Sequence, residues 1–237
     1  MTGGRYTYTM WTPAAPPLSS QPTSRTEILH ISIAFVVLTF DLFIVLSGRG
    51  LVLGSGATGL LAPVSFYYLL LAAGAALTGF IAHEMAHKLV ARRLGYWAEF
   101  RMWPVGLILS VLTSLYGVVF AAPGATMVSG MDPRNVEGWG ETGVAGPVSN
   151  LLFAGGFYAA SLVTFRLGSA VFGPLLFLAL INTLFATFNL LPIGPLDGAK
   201  VFRWGVGRWA AVFVVSAAFF AVSYLALYSY GSPLLAW

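Results

Sequence analysis

The sequence predicts an all-α polytopic membrane protein of about five transmembrane helices, with a small non-spanning segment, able to form β-structure, between the second and the third. Three observations predict it. Hydrophobic residues make up 58% of the 237 and charged ones only 8%, with a mean hydropathy of +0.83, whereas an ordinary soluble domain is charged at roughly 25% of its positions. The apolar residues gather into stretches near the roughly 20 residues that a helix needs to cross a bilayer. The Gly, Pro and polar runs between them are too short for a separate soluble domain, so residues 28–237 read as one transmembrane domain with a core at about 64–200.

Each element follows in order. Residues 1–27, which include WTPAAPPLSSQPTSR, have no apolar periodicity and lack the basic start and short apolar core of a signal peptide, so a flexible tail is expected. ILHISIAFVVLTFDLFIVL, residues 28–46, is long enough for the first span. Asp41 lies deep within it, where a carboxylate is costly, and a hydrogen-bonded or protonated structural acid is expected. The Gly-rich link SGRGLVLGSGATG leads to a second span at about 64–93. Residues 105–122 are apolar, rich in Val, Ile, Thr, Tyr and Phe, and broken by Gly106 and Gly117, which suits strands packed on the bundle or dipped into it, with plain apolar packing as the alternative. Beyond the polar patch MDPRNVEGWGET come GVAGPVSNLLFAGGFYAASLVTF and AVFGPLLFLALINTLFATFNLLP, the third and fourth spans, and a fifth at about 209–230.

The charge of +4 comes from scattered residues at span ends and reads as membrane orientation, not as a nucleic-acid footprint. With five spans and a cytoplasmic N-terminus, only Arg49 and Arg166 of the 12 Lys and Arg residues fall outside. Lys88, Arg92 and Arg93 are then expected at the cytoplasmic headgroups, which places His83 about 7 Å deeper than Lys88. There are no cysteines, so disulfides and thiolate ligands are excluded and any metal must be held by His, Asp or Glu.

Within the second span the run GFIAHEMAHKLVARRLG places His83, Glu84 and His87 together. On a helix, His83 and His87 share a face about 6 Å apart along the axis, with Glu84 beside them. Neutral imidazoles bind Zn²⁺, the metal lowers the pKa of bound water to about 7, and a glutamate can take its proton. A hydrogen-bonded cluster between helices is the competing reading, but a buried glutamate in lipid demands a partner. A third ligand is available in FNLLPIGPLDGAK, where Pro192 and Pro195 end the fourth span and can turn Asp197 back to the bundle. A plain helix cap is the alternative for Asp197.

His-Glu-Met-Ala-His at 83–87, with Asn-Leu-Leu-Pro-Ile-Gly-Pro-Leu-Asp-Gly at 189–198, resembles the site-2 protease family of intramembrane zinc metalloproteases. Gly-Pro-Val-Ser-Asn at 146–150 is similar to that family's Gly-x-x-x-Asn element. The resemblance implies one Zn²⁺ held by His83, His87 and Asp197, with Glu84 as the base. It implies that Asn189 holds substrate backbone or the oxyanion, and that Gly146 and Asn150 belong to the substrate-binding set. Ala199 and Lys200 depart from the family's usual Gly-Arg, and a minimal core form without PDZ or nucleotide-binding regulatory domain is expected.

Two motifs that share a metal must lie at one membrane level, so an even number of crossings separates them and residues 105–122 should not span. The function expected is hydrolysis of peptide bonds in or near transmembrane segments of membrane proteins, close to the cytoplasmic face. A zinc hydrolase of another membrane substrate, such as a lipidated peptide, and a non-catalytic metal-binding transporter or scaffold are the alternatives. His30 reads as a boundary residue and Asn182 as a bond across helices.

Overall fold

The computed structural model describes residues 23–51, 65–120 and 123–230, so most of the expected tail and the link at 52–64 lie outside the described residues. Helix α1 is Arg25–Leu46, its first turn capped by Ser24, whose Oγ accepts the Glu27 N–H. It starts inside the stretch expected to be tail. Helix α2 runs over Phe66–Arg93 and passes through a π-helical turn, Ala76–Ile81, just before His83. Such wide turns open the backbone ladder and occur often at functional sites. Strand β1, Trp97–Met102, pairs antiparallel with β2, Gly124–Ser129, in a register that sets Phe100 opposite Thr126. Helix α3, Pro104–Leu115, connects them.

Helix α3 corrects the strand expectation for residues 105–122. Proline at its first position starts a helix, and Leu107, Ser110 and Ser114 recur at helical spacing to form its buried face against α1. Counting β-branched residues hides that period. Its 12 residues rise about 18 Å, too little for a core of about 30 Å, so the segment does not cross. Ser114 Oγ donates to Asp41 Oδ1, and Asp41 is fully buried there.

Helix α4 is Val136–Thr164, α5 is Ser169–Asn189, α6 is Asp197–Trp204 and α7 is Val206–Tyr230. Among the described residues five helices are long and apolar enough to cross a membrane: α1, α2, α4, α5 and α7. In lipid, helices gain little from apolar burial and associate through close packing, which small residues permit. Gly79 on α2 faces Phe185 on α5 so closely that a Cβ would fall 2.8 Å from its ring. Gly140 and Gly143 on α4 do the same for α6, where Cβ atoms would meet Trp204 at 2.3 Å and Lys200 at 3.0 Å. Those glycines let the short α6 lie against α4.

Lys88 overturns one expectation. It is buried beneath α1, where its Nζ donates to Glu27 Oε2 at 2.5 Å and to Thr23 Oγ1 at 3.1 Å. Glu27 Oε1 also accepts the Phe100 N–H at 2.9 Å, which ties α1, α2 and β1 together. Two charges out of water are tolerated because each answers the other. The first exposed cation on α2 is Arg93, preceded by the half-buried Arg92, so His83 lies nine residues, about 14 Å, beyond Arg92.

Candidate metal centre

The wide turn of α2 and the start of α6 bring four side chains to one place. His83 and His87 stand one turn apart on α2 with their Nε2 atoms 3.0 Å from each other. Asp197 Oδ2 lies 3.1 Å from the first Nε2 and 2.9 Å from the second. All three side chains are buried. Asp197 is the first residue of α6 and Leu196 its cap position, so the carboxylate serves the imidazoles and does not cap its own helix. Gly198 makes the approach possible, since a Cβ there would fall 2.1 Å from the Leu190 carbonyl oxygen.

The tautomers follow from the far side of each ring. His87 Nδ1 lies 2.6 Å from the Thr142 carbonyl oxygen, which can only accept, so this nitrogen carries the proton. His83 Nδ1 lies 2.7 Å from Asn150 Oδ1. The amide of Asn150 is oriented by its Nδ2, which donates to Thr78 O, Gly79 O and Asn182 Oδ1, so its oxygen faces His83. Both neutral imidazoles therefore turn lone pairs toward one another and toward a carboxylate oxygen.

Three converging acceptors have no proton to share, and a cation is what such an arrangement fits. The room is there as well: a Cβ at Gly146 would sit 2.4 Å from His87 Nε2 and 2.5 Å from His83 Nε2, so this glycine leaves an atom-sized cradle beside both nitrogens. Ligand atoms around tetrahedral zinc, with bonds of about 2.0–2.1 Å, stand about 3.3 Å apart, close to the separations found here. Two imidazoles and a carboxylate also match the three-ligand donor sets of catalytic zinc sites. The other oxygen of Asp197, Oδ1, accepts from Lys200 Nζ at 2.8 Å, and the charge of that lysine offsets the cost of burying the carboxylate.

Glu84 lies beside these residues, with a carboxylate oxygen within 4.8 Å of the imidazole nitrogens. Its Oε2 accepts the Thr126 N–H at 2.7 Å and lies 2.9 Å from the Thr126 hydroxyl. Asn150, expected in the substrate-binding set, is fully buried behind His83, with Oδ1 facing that ring and Nδ2 facing Gly79 and Asn182. Gly146 borders the imidazoles themselves. Asn189 turns its Nδ2 to the Phe185 carbonyl of its own helix. Asn182 bonds across helices as expected, donating to Thr78 Oγ1. Thr126 and Thr142 had no mark in the sequence, the first because it reaches Glu84 from a strand 42 positions away, the second because it acts through its backbone.

A family model, that of peptidase family M50, matches residues 166–227, which contain Asn189 and Asp197. Two relatives carry the name "putative zinc metalloprotease". One, from Methanocaldococcus jannaschii, is 42% identical over 136 residues, which are 57% of this chain and 70% of the relative. The other, Rip3 of Mycobacterium tuberculosis, is 34% identical over 145 residues, 60% of this chain and 33% of that longer protein. No solved structure matches the chain. The first relative is covered over more than two thirds of its length, and on that similarity the chain belongs to peptidase family M50, the site-2 protease family of zinc metalloproteases.

Proposed function

We propose that this chain is an intramembrane zinc endopeptidase that hydrolyses peptide bonds in or near transmembrane segments of membrane proteins, toward the cytoplasmic face. The observation that carries the reading is the convergence of His83 Nε2, His87 Nε2 and Asp197 Oδ2 beside Glu84, inside a bundle of apolar helices. His83, His87 and Asp197 would hold the zinc ion, and Asn150 and Thr142 would fix the two rings. When bound, zinc supplies a polarised scissile carbonyl and a water of lowered pKa. Glu84 takes the proton of the attacking water and passes it to the leaving amine. Its placement next to intact ligands favours turnover over simple metal storage, since binding alone needs no base.

The substrate must be unwound, because a helix hides each scissile carbonyl in an internal hydrogen bond and every freed backbone group in lipid costs several kcal/mol. Because α3 is helical, the extended segment that can partner an unwound substrate is β2. The Phe100 and Thr126 N–H groups leave the ladder in opposite directions, toward Glu27 and Glu84, so Gly124, Thr126 and Val128 carry the outward groups of β2. An extended substrate bonded to Gly124 and Val128 passes beside Glu84. Asn189, once its side chain leaves Phe185, is the further donor for substrate backbone. The distribution of Lys and Arg, with Lys88 set aside, supports a cytoplasmic N-terminus and an active site reached by water from that side.

The test is cleavage of a reconstituted single-pass membrane substrate by wild type and by Glu84→Gln. Loss of cleavage with zinc retained is expected. Equal cleavage by the Glu84→Gln protein would overturn the assignment of the base.

A further inference from the structure

In zinc hydrolases of this pattern the base follows a ligand directly in the chain, so its backbone is fixed while its side chain still has three torsions to settle. In this protein one residue settles them. Thr126, at the middle of β2, meets Glu84 three times: its N–H donates to Oε2 at 2.7 Å, and its hydroxyl lies 2.9 Å from Oε2 and 2.9 Å from the Glu84 carbonyl oxygen. The strand is itself braced. Thr126 is paired in register with Phe100, which is fully buried, and the Phe100 N–H is held by Glu27, the partner of Lys88 on the same helix as Glu84.

We infer that Thr126 is a positioning residue for hydrolysis: its backbone and hydroxyl pin Oε2 of Glu84, leaving Oε1 as the oxygen that takes the proton of water. The inference rests on the reading of Glu84 as the base. Two donors on one oxygen fix the carboxylate plane, and a base must lie within hydrogen-bond reach of its proton to act. A glutamate held by the N–H alone can still swing about that single bond. Loss of the hydroxyl therefore lowers the fraction of bound complexes in which Oε1 faces the water, which is an effect on kcat. Neither zinc affinity nor substrate affinity requires that hydroxyl.

The experiment compares wild type, Thr126→Val, Thr126→Ser and Glu84→Gln, full length and zinc-loaded, on a fluorogenic transmembrane peptide that the wild type cleaves. Zinc content and thermal midpoint are measured on each protein. Thr126→Val keeps the shape and the N–H and removes the hydroxyl; kcat should fall about tenfold with KM within twofold and zinc stoichiometry unchanged. Thr126→Ser restores the hydroxyl and should recover kcat to within threefold of wild type. A Thr126→Val protein with wild-type kcat, or a Thr126→Ser protein impaired as deeply as Thr126→Val, overturns the assignment. Loss of zinc in Thr126→Val but not in Thr126→Ser would also overturn it, because the hydroxyl would then serve the ligands. Should Glu84→Gln cleave like wild type, the base assignment falls and the positioning role of Thr126 falls with it, a result distinct from an inactive Glu84→Gln protein beside a fully active Thr126→Val protein, which overturns the Thr126 assignment alone.

Discussion

Gly146→Ala adds one methyl group and should cost the protein its zinc. The added carbon would lie 2.4 Å from His87 Nε2, 2.5 Å from His83 Nε2 and 2.6 Å from His83 Cε1, where ordinary contacts begin near 3.4 Å. The imidazoles would have to retreat by about 1 Å. They are held from behind by hydrogen bonds of 2.7 Å to Asn150 and 2.6 Å to the Thr142 carbonyl, and retreat breaks both. Removing a single outer partner of a zinc-bound histidine costs 10–100-fold in affinity. Losing two, with the cradle filled, should weaken zinc by at least about 100-fold. Gly155 and Gly156 on the same helix have nothing within 4 Å of a Cβ, so alanine at either should retain zinc. In those positions alanine gains roughly 0.5–1 kcal/mol of helix stability. Zinc competition with a chromophoric chelator measures the affinity, and the helical signal on heating reports the fold. A Gly146→Ala protein with wild-type zinc affinity would refute the reasoning.

Other expectations follow from the same contacts. His83→Ala and Asp197→Ala should each lower zinc occupancy at equal protein, as metal analysis of the purified variants would show; full occupancy in Asp197→Ala would remove it from the ligand set. Asn150→Leu should weaken zinc by about 10–100-fold while leaving Glu84 and the strands in place, and an unchanged affinity would mean that Asn150 serves only the wide turn of α2. Lys88→Met strands a buried Glu27 carboxylate and should destabilise the fold by about 3–5 kcal/mol, with most of this recovered in the Glu27→Gln/Lys88→Met double variant. Single cysteines at Thr26 and Glu137 should be labelled from the cytoplasm and one at Leu167 from the opposite side, and the reverse pattern would invert the proposed topology.

How far the sequence reached depended on whether a signal was local. His83, Glu84 and His87 were legible because helix geometry fixes what residues four apart can share. Asp197 stood out between two prolines and a glycine, but alone it reads as a helix cap, and only the pairing with His83 and His87 made it a ligand candidate. The non-spanning segment was found by parity, but its helix was missed because β-branched content outweighed a period that only Leu107, Ser110 and Ser114 carry. Lys88 was misplaced for a different reason: a lysine near a helix end is ordinarily drawn to the headgroups, and the Glu27 that holds it is 61 positions away. Asn150 was singled out by the run Gly-Pro-Val-Ser-Asn, which the resemblance assigns to the substrate-binding set. Nothing in one sequence says whether such an amide faces a substrate or the back of a histidine.

The backbone itself explains why the site stands where it does. Irregular backbone inside lipid is tolerated only when it is enclosed by protein or lines a cavity, and three irregular stretches meet at the imidazoles. The π-helical turn of α2 leaves the Thr78 and Gly79 carbonyls to Asn150, whose other end then fixes His83. Pro147 within α4 has no N–H to give the Gly143 carbonyl, and next to that break the Thr142 carbonyl accepts from His87. The turn at 190–196 between α5 and α6 closes the Leu190 carbonyl onto Gly198 and the Trp209 indole, and so aims Asp197 inward. Each departure from helical regularity would be a cost if it stood alone in the bilayer. Together the first two supply acceptors that set the histidine tautomers and the third supplies a carboxylate, so the defects of the three segments are satisfied by one another at the position where a polar centre has to be enclosed.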